Sequence, residues 1–581
     1  MVSFQRTHMC GALREEDIGK EVLLAGWVHR PRDLGGLIFC DLRDRFGITQ
    51  IVIDPKKLPL GRKLGFEYVI AVRGKVSRRR EENPALATGK IEVMAETLEI
   101  LSESAPLPLS ICDETVEVND EVRLEYRFLD MRRGPILKNI IMRHKAMMAT
   151  RDFLDSEGFI EVVTPMLGKS TPEGARDYLV PSRVYPGMFY ALPQSPQMYK
   201  QILMIGNLDR YFQIATCFRD EDLRADRQPE FAQIDMEMSF ATCEELFPIV
   251  ERMTAAIFKK CRGVDLKTPF LRMTYADCME YYGSDKPDLR FGMKLVRLDD
   301  LARQSSFSIF QTVLEEKGCV KGFSVKGGVD ISRKAIDELT LFMQNLGGKG
   351  LLWMKYHDGA LTSPISKFIP SEQHKAWIEK LGLEAGDAAF IIAGTQKKTN
   401  QLLDHLRRKL GRERHLIAKD SLAPLWVTDF PLFSYNDEEK RMESEHHPFT
   451  SPNFDDIDLL EREPLRVRSS SYDLVLNGYE MASGSQRIHD GHLQEKIFAL
   501  LGLTPEERAQ KFGFFIDALK FGTPPHIGIA LGFDRVMMIL CDTDSIRDVV
   551  AFPKTQKAQD LMTHAPSPVS EAQLKELKIR I

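Results

Sequence analysis

Two arginine-bearing blocks, over 300 residues apart, constrain this chain more than any other feature. The first is Cys217-Phe218-Arg219-Asp220-Glu221, followed by Arg224-Ala225-Asp226-Arg227-Gln228-Pro229-Glu230-Phe231. The second is Gly528-Ile529-Ala530-Leu531-Gly532-Phe533-Asp534-Arg535. Read as a strand, residues 211–219 put Tyr211, Gln213, Ala215, Cys217 and Arg219 on one face and Phe212, Ile214, Thr216 and Phe218 on the other. In 231–240, Phe231, Gln233, Asp235 and Glu237 alternate in the same way with Ala232, Ile234, Met236 and Met238. The pattern predicts an antiparallel hairpin with an apolar face and a polar platform. A half-exposed hairpin with a solvated loop gives the same pattern, but this loop holds Arg224 and Arg227, which suit phosphates. In the second block, Ile527 to Phe533 reads as a strand, Asp534 as a helix cap and Val536 to Leu540 as a buried helix. Arg535 falls in the first turn, where unpaired N–H groups welcome an anion; a cap beside a surface arginine is the plainer alternative. Two permanently charged forks suit a polyphosphate held from two sides.

Other clusters extend this chemistry. Asn477-Gly478 is a strong two-residue hairpin turn, which sets Glu480 opposite Val475 and puts Asp473 on the same face. Two carboxylates so placed suit Mg2+, which takes one or two of them plus substrate phosphates; paired surface acids are also common without a metal. Gln194-Ser195-Pro196-Gln197-Met198-Tyr199-Lys200 reads as a cap, a proline at the first helical position and a helix. Gln197 and Lys200 share a helix face. With Arg487, Lys200 forms a cationic pair that matches a substrate with a free side-chain carboxylate. His446-His447 by itself is as readily a polar loop as a site.

At 581 residues the chain exceeds one hydrophobic core, so several domains are expected. There is no apolar run long enough to span a membrane and no signal-like N-terminus. Nine cysteines without a CxxC pair argue against a zinc cluster or disulfide framework and fit a reducing cytoplasm. With a net charge of −5, a nucleic-acid partner needs a local basic face, and residues 1–101 carry 17 Lys/Arg against 14 Asp/Glu. That region holds five short β-rich runs, which suggest a small barrel of OB type. Helical spacing runs from about Ile140 to Gly158, with a strand to Pro165 after it. Residues 288–420 contain Gly-rich turns and no chemical cluster, and read as an insertion.

The two blocks resemble motifs 2 and 3 of class II aminoacyl-tRNA synthetases, in wording nearest the bacterial aspartate-specific branch. Tyr282-Gly283-Ser284-Asp285-Lys286-Pro287-Asp288-Leu289-Arg290-Phe291 favours the same branch. The resemblance spans almost the whole chain. It implies a multidomain α+β protein: an OB barrel over 1–108 that binds the anticodon, a hinge over 109–138, and an antiparallel-sheet catalytic domain split into 139–287 and 421–560. The inserted α+β domain would occupy 288–420 and a C-terminal extension 561–581.

For the site, the resemblance implies that Arg219 binds the α-phosphate and the substrate carboxylate, and that Arg535 binds the γ-phosphate. Asp220, Glu221, Gln228, Phe231, Glu480, Gly532, Phe533 and Asp534 would complete the ATP site, with Phe231 stacking on adenine and Asp473 and Glu480 holding Mg2+. Lys200 and Arg487 would bind the side chain of L-aspartate; Asp235, Ser195 and Gln197 its ammonium; His446 and His447 would add contacts. Glu173 would ride on a loop that closes over it. One departure is Met481-Ala482-Ser483-Gly484, where the family usually has three glycines. Trp27, Arg30, Arg32, Phe39, Gln50, Arg78 and Glu92 match the anticodon-reading face, although Phe39 also suits a core.

The implied activity is ATP-dependent activation of aspartate and its transfer to tRNA(Asp) by a cytoplasmic homodimer, joined through the helix and strand before Pro165. Asparaginyl and lysyl synthetases, an asparagine synthetase and a silent synthetase-like tRNA-binding protein are the rivals. An asparagine site has no need of both Lys200 and Arg487. The chain also fits a non-discriminating enzyme that charges tRNA(Asn) as well. Markers of that choice fall at Leu34 and near Glu81 and Glu82. Relatives that charge both often carry His at the first, so Leu34 favours tRNA(Asp) alone.

Overall fold

The computed structural model describes residues 4–113, 115–170, 174–223 and 225–580. They form two compact units: Met1–His144 with Asp222–Gln228 and Cys541–Glu571, and Lys145–Glu221 with Pro229–Leu540 and Ala572–Ile581. Glu173 and Arg224 lie outside the described residues.

The first unit contains the expected barrel. Strands β1 (Glu21–Leu34), β2 (Leu37–Asp44), β3 (Gly47–Ile53), β4 (Val69–Arg78) and β5 (Ile91–Ser102) close in the order β1-β2-β3-β5-β4. Alternation sets the inside: Val22, Leu24, Val28, Ile38, Cys40, Leu42, Ile51, Ile53, Ile70 and Val72 share one core. Leu34 and Leu37 pair across Gly35 and Gly36, both at positive φ, the twist a two-residue hairpin needs.

The stretch read as a hinge holds two short helices, Asp120–Glu125 and Arg127–Asp130. Arg127 is buried; it donates to the carbonyls of Arg547, Val550 and Ala551 and pairs with Asp130 at 2.6 Å. Residues 541–571 therefore belong with this unit rather than with the sheet that precedes them in sequence.

The second unit is built on an eight-stranded sheet. Its strands are β6 (Ile160–Glu161), β9 (Arg210–Phe218), β10 (Glu230–Ser239), β11 (Leu271–Thr274), β17 (Pro424–Thr428), β20 (Ser471–Leu476), β21 (Tyr479–Gln486) and β22 (His526–Gly532), in the order β11-β17-β20-β21-β22-β10-β9-β6. The centre is antiparallel and the outermost pair at each edge is parallel. The hairpin β7 (Leu179–Pro181) and β8 (Phe189–Ala191) precedes β9. Between β11 and β17 lies a separate five-stranded sheet of β12 (Val296–Arg297), β13 (Cys319–Val325), β14 (Leu352–His357), β15 (Ala360–Thr362) and β16 (Ala388–Gly394). It is packed on both faces by helices, among them Arg333–Asn345 and Gln396–Glu413. The strands β18 (Phe433–Asn436) and β19 (Arg441–Ser444) form a small hairpin. Among the described residues no helix is long and apolar enough to cross a membrane.

Several boundaries differ from the sequence reading. The helix expected from Ile140 runs from Gly134 to Ser156, because Gly134-Pro135 opens it and nothing breaks it before Ile140. The strand expected up to Pro165 is only Ile160–Glu161. Pro196 precedes the helix Gln197–Ile205 instead of starting it. Asp534 is not a cap: β22 passes directly into the helix Phe533–Cys541, and the Asp534 carboxylate accepts the Ala232 N–H of β10 at 2.9 Å. The polar platform of β9 and β10 is covered, with Tyr211, Gln213, Cys217, Asp235 and Glu237 all buried, which goes against the plainer alternative of a half-exposed hairpin.

Candidate active site

Four charged side chains meet over the centre of the large sheet. β10 supplies Asp235 and Glu237, two residues apart and so on one face. The helix Gln197–Ile205 supplies Lys200, and Arg487 follows β21. Lys200 and Arg487 are each only 1% exposed. Lys200 Nζ lies 2.7 Å from Asp235 Oδ1 and 3.4 Å from Glu237 Oε2. Arg487 grips Glu237 with two bonds, from Nε at 2.9 Å and Nη2 at 3.1 Å. Its Nη1 donates to Ser485 Oγ at 2.6 Å and meets His447 Nε2 at 2.6 Å. Position 528 of β22 has room only for glycine, because a Cβ would lie 1.6 Å from Glu237 Oε2 and 2.6 Å from Met236 O.

The electrostatics follow from burial and pairing. Burial raises the Asp235 carboxyl, and Lys200 only partly offsets it. Burial also acts upward on Glu237, but Arg487 and Lys200 together bring it below the ordinary carboxylate value. His447 sits well below the usual imidazole value through burial and the adjacent Arg487, so its Nε2 is an acceptor for the guanidinium. Two cations are thus balanced by two carboxylates, and unused polar capacity remains. Among the described residues, Asp235 Oδ2, Gln197 Nε2 and His446 Nδ1 are buried without hydrogen-bond partners. Ser195 Oγ accepts the Gln197 N–H at 3.3 Å. This pocket offers positive charge to one anion and carboxylate to one cation.

The second cluster lies on the same sheet. Asn477 and Gly478 both adopt positive φ, and Val475 pairs with Glu480 as the turn requires. A bulge after Leu474 moves the partner of Asp473 to Ser483, yet Asp473 and Glu480 stay close enough to influence each other's protonation. Burial raises Asp473, with His446 Nε2 at 3.3 Å partly offsetting it. Burial acts upward on Glu480 too, but Lys286 and Arg535 bring it lower overall. Two hard oxygen donors on one face fit a magnesium ion.

Arg535 Nη1 donates to the Glu480 carbonyl at 2.9 Å and lies 3.9 Å from its carboxylate. Arg219 stands over the Phe231 ring, 5.1 Å from its centroid, so the charged fork and the flat aromatic form one platform. Asp220 accepts from Arg176 through its carbonyl and pairs its backbone N–H with Arg176 O. Glu221 ends the second unit's part of this loop, whereas Gln228 belongs to the first unit; there its amide is paired both ways with the Lys554 backbone. Phe533 is fully buried, and Gly532 closes β22. The Ala482 and Ser483 departure costs no strain: neither they nor Gly484 adopt positive φ. Gly484 is where space is critical, as a Cβ there would meet Gly528 O at 2.3 Å.

On the barrel, Arg30, Asp41, Gln50 and Glu92 form one row across β1, β2, β3 and β5, and Arg32, two residues along β1 and opposite Phe39, reaches into it. Arg32 Nη2 bonds both Asp41 oxygens at 2.9 and 3.0 Å, and Gln50 Nε2 donates to Glu92 at 2.8 Å. Phe39 lies between the buried Ile38 and Cys40 and faces away from the core. Arg30 is exposed; Arg78 pairs with Glu15 and Glu82. Trp27 does not join the row, because the Arg132 guanidinium covers its ring at 5.1 Å. Leu34 is 60% exposed.

Three residues escaped the sequence reading. Glu237 repeats the alternation that singled out Asp235, and Asp41 stands opposite Gln50 on the next strand. Lys286 had only its motif, and its contact with Glu480 depends on the fold.

Residues 119–556 match the model of tRNA synthetases class II (D, K and N), and residues 22–101 that of the OB-fold nucleic acid binding domain. The chain is similar to proteins from Protochlamydia amoebophila (59% identity, 100% of this chain and 98% of the relative) and Chlamydia caviae (56%, 99% and 99%), both called Aspartate--tRNA(Asp/Asn) ligase. Its fold is similar to asparaginyl-tRNA synthetase from Pyrococcus horikoshii, solved with asparaginyl-adenylate, at a TM-score of 0.60 and 19% identity over 96% of this chain and 99% of that one.

Proposed function

We propose that this chain, which belongs to the class II tRNA synthetases (D, K and N), is an ATP-dependent ligase that joins L-aspartate to tRNA. The observation that carries the substrate is the buried Lys200–Arg487 pair, steered by Glu237 and Asp235. A substrate side-chain carboxylate takes the donor edge of Lys200 and Arg487, and its ammonium takes Asp235 Oδ2. Glutamine-type or asparagine-type amides bring an N–H group against donors that have no acceptor to offer it.

In the activation step the substrate carboxylate attacks the α-phosphate and pyrophosphate leaves. No general base is needed, since the nucleophile is already ionised. Arg219 aligns the carboxylate with the α-phosphate, Phe231 carries the adenine, and Arg535 offsets charge on the polyphosphate. Mg2+, held by Asp473 and Glu480, supplies further neutralisation when bound. A hydroxyl of the terminal ribose of tRNA then attacks the acyl carbonyl, the acyl–phosphate bond breaks, and AMP leaves with the hydroxyl's proton released, while Arg30, Arg32, Gln50 and Glu92 of the barrel read anticodon bases.

Of the two readings of tRNA choice, the wider one has the support of the relatives' names: aspartate is placed on both tRNA(Asp) and tRNA(Asn). The preference for tRNA(Asp) drawn from Leu34 is narrower than that support. We also place the enzyme in the cytoplasm, which suits its nine free cysteines, and as a homodimer. The exposed Val163, Met166 and Leu167 beside the edge strand β6 give the dimer an apolar contact surface. Charging of each purified tRNA with aspartate tests the choice: comparable rates on both support the wider reading, and a rate on tRNA(Asn) at background contradicts it.

A further inference from the structure

The inserted region has no chemical cluster of its own, yet it holds the loop that reaches the polyphosphate site. Arg407, in the helix Gln396–Glu413, is fully buried. Its guanidinium lies between the rings of Tyr282 and Phe291, 4.9 and 4.6 Å from their centroids. It donates to the carbonyls of Asp288, Phe291, Gly292 and Met293 at 2.8 to 3.4 Å. Arg408 donates to the Lys286 carbonyl at 2.8 Å, and Ser284 Oγ accepts the Lys286 N–H at 3.2 Å. The same loop packs on the Asn477-Gly478 turn: a Cβ at Gly478 would lie 3.2 Å from Asp288 Cβ and 3.4 Å from Arg408 Cζ. The backbone of Lys286 is thereby fixed against the hairpin that carries Asp473 and Glu480.

The Lys286 side chain is held far less firmly. Its Nζ lies 3.3 Å from Glu480 Oε2 and 3.7 Å from Asp285, and the side chain is 41% exposed. An ion pair this open is weak, so a polyphosphate arriving beside Glu480 and Arg535 outcompetes it. Resting on the reading of this site as an ATP site, we propose that Lys286 binds the polyphosphate of ATP and the departing pyrophosphate, and that Arg407 and Arg408 of the inserted region position it.

Lys286→Met, Lys286→Arg and Arg408→Met are compared with the wild type in two measurements. One is ATP affinity by calorimetry without aspartate, which needs no turnover; the other is the KM for ATP, pyrophosphate and aspartate in exchange. For Lys286→Met the expected result is about tenfold weaker ATP and pyrophosphate, the loss of one charge-assisted contact, with the aspartate KM unchanged within about twofold. Lys286→Arg restores most of the ATP affinity, and Arg408→Met falls between. Unchanged ATP affinity in Lys286→Met, or an equal loss for aspartate, overturns the proposal. Absence of aspartate-dependent exchange in the wild type contradicts the ligase reading, while calorimetry still decides the role of Lys286.

Discussion

The proposed amino-acid pocket and the barrel face both present arginines, but they hold them in opposite ways. Arg487 is buried, bonded twice to Glu237 and once to Ser485. Arg30 projects into solvent, and Arg32 is tethered to Asp41 with its side chain 37% exposed. A buried fork discriminates through desolvated charge, so losing one partner is costly. On the barrel face Gln50 and Glu92 are buried, whereas the arginines beside them discriminate through hydrogen bonds that water can replace, so each arginine contact counts for little.

The largest effect is expected from Arg487→Leu. It removes the fork and leaves Glu237 with Lys200 alone, costing about 2–5 kcal/mol in kcat/KM for aspartate activation. Melting temperature falls as well, while tRNA binding by the barrel, read by gel shift, is retained. Loss of both activities together breaks the contrast between the two regions.

Next is Gln50→Ala, which frees Glu92 and opens the row. Pyrophosphate exchange stays at the wild-type rate, and charging of tRNA drops by about 1–3 kcal/mol in kcat/KM. A parallel loss of exchange contradicts the independence of pocket and barrel.

A smaller effect concerns pH. His447 is neutral in the folded pocket and takes a proton in the unfolded chain below its ordinary value of 6.5. The unfolded state then binds more protons, so stability is unaffected above that value and declines as pH falls below it. Melting curves from pH 7 to 5 are steeper for the wild type than for His447→Gln; identical slopes remove His447 as the cause. The smallest effect is expected from Leu34→His, an exposed turn residue. It changes the ratio of tRNA(Asp) to tRNA(Asn) charging by about tenfold, toward the low end of one contact's worth, as read from charging rates on the two purified tRNAs.

Much of this contrast is legible in the sequence, for local reasons. Asn477-Gly478 dictates its hairpin, the alternation of Gln233, Asp235 and Glu237 dictates their common face, and five β-rich runs dictate the barrel. What is not legible depends on contacts between distant segments. No spacing rule says that Glu237 will be gripped by Arg487, 250 positions away, or that Arg408 will set Lys286 on Glu480. Alternation alone leaves a half-exposed hairpin open as an alternative to a covered platform, because it reports polarity and not what covers it. Asp534 looked like a cap because an aspartate before a helix usually is one, and its carboxylate went instead to a strand N–H on β10.

The central claim is that the pocket is built for a side-chain carboxylate. Amino-acid-dependent ATP–pyrophosphate exchange by the wild-type enzyme, run with aspartate and asparagine at matched concentrations, tests it most directly. Strong exchange is expected with aspartate and at least about a hundredfold less with asparagine, the discrimination that follows when buried donors are left unmatched. Equal exchange with the two amino acids contradicts it.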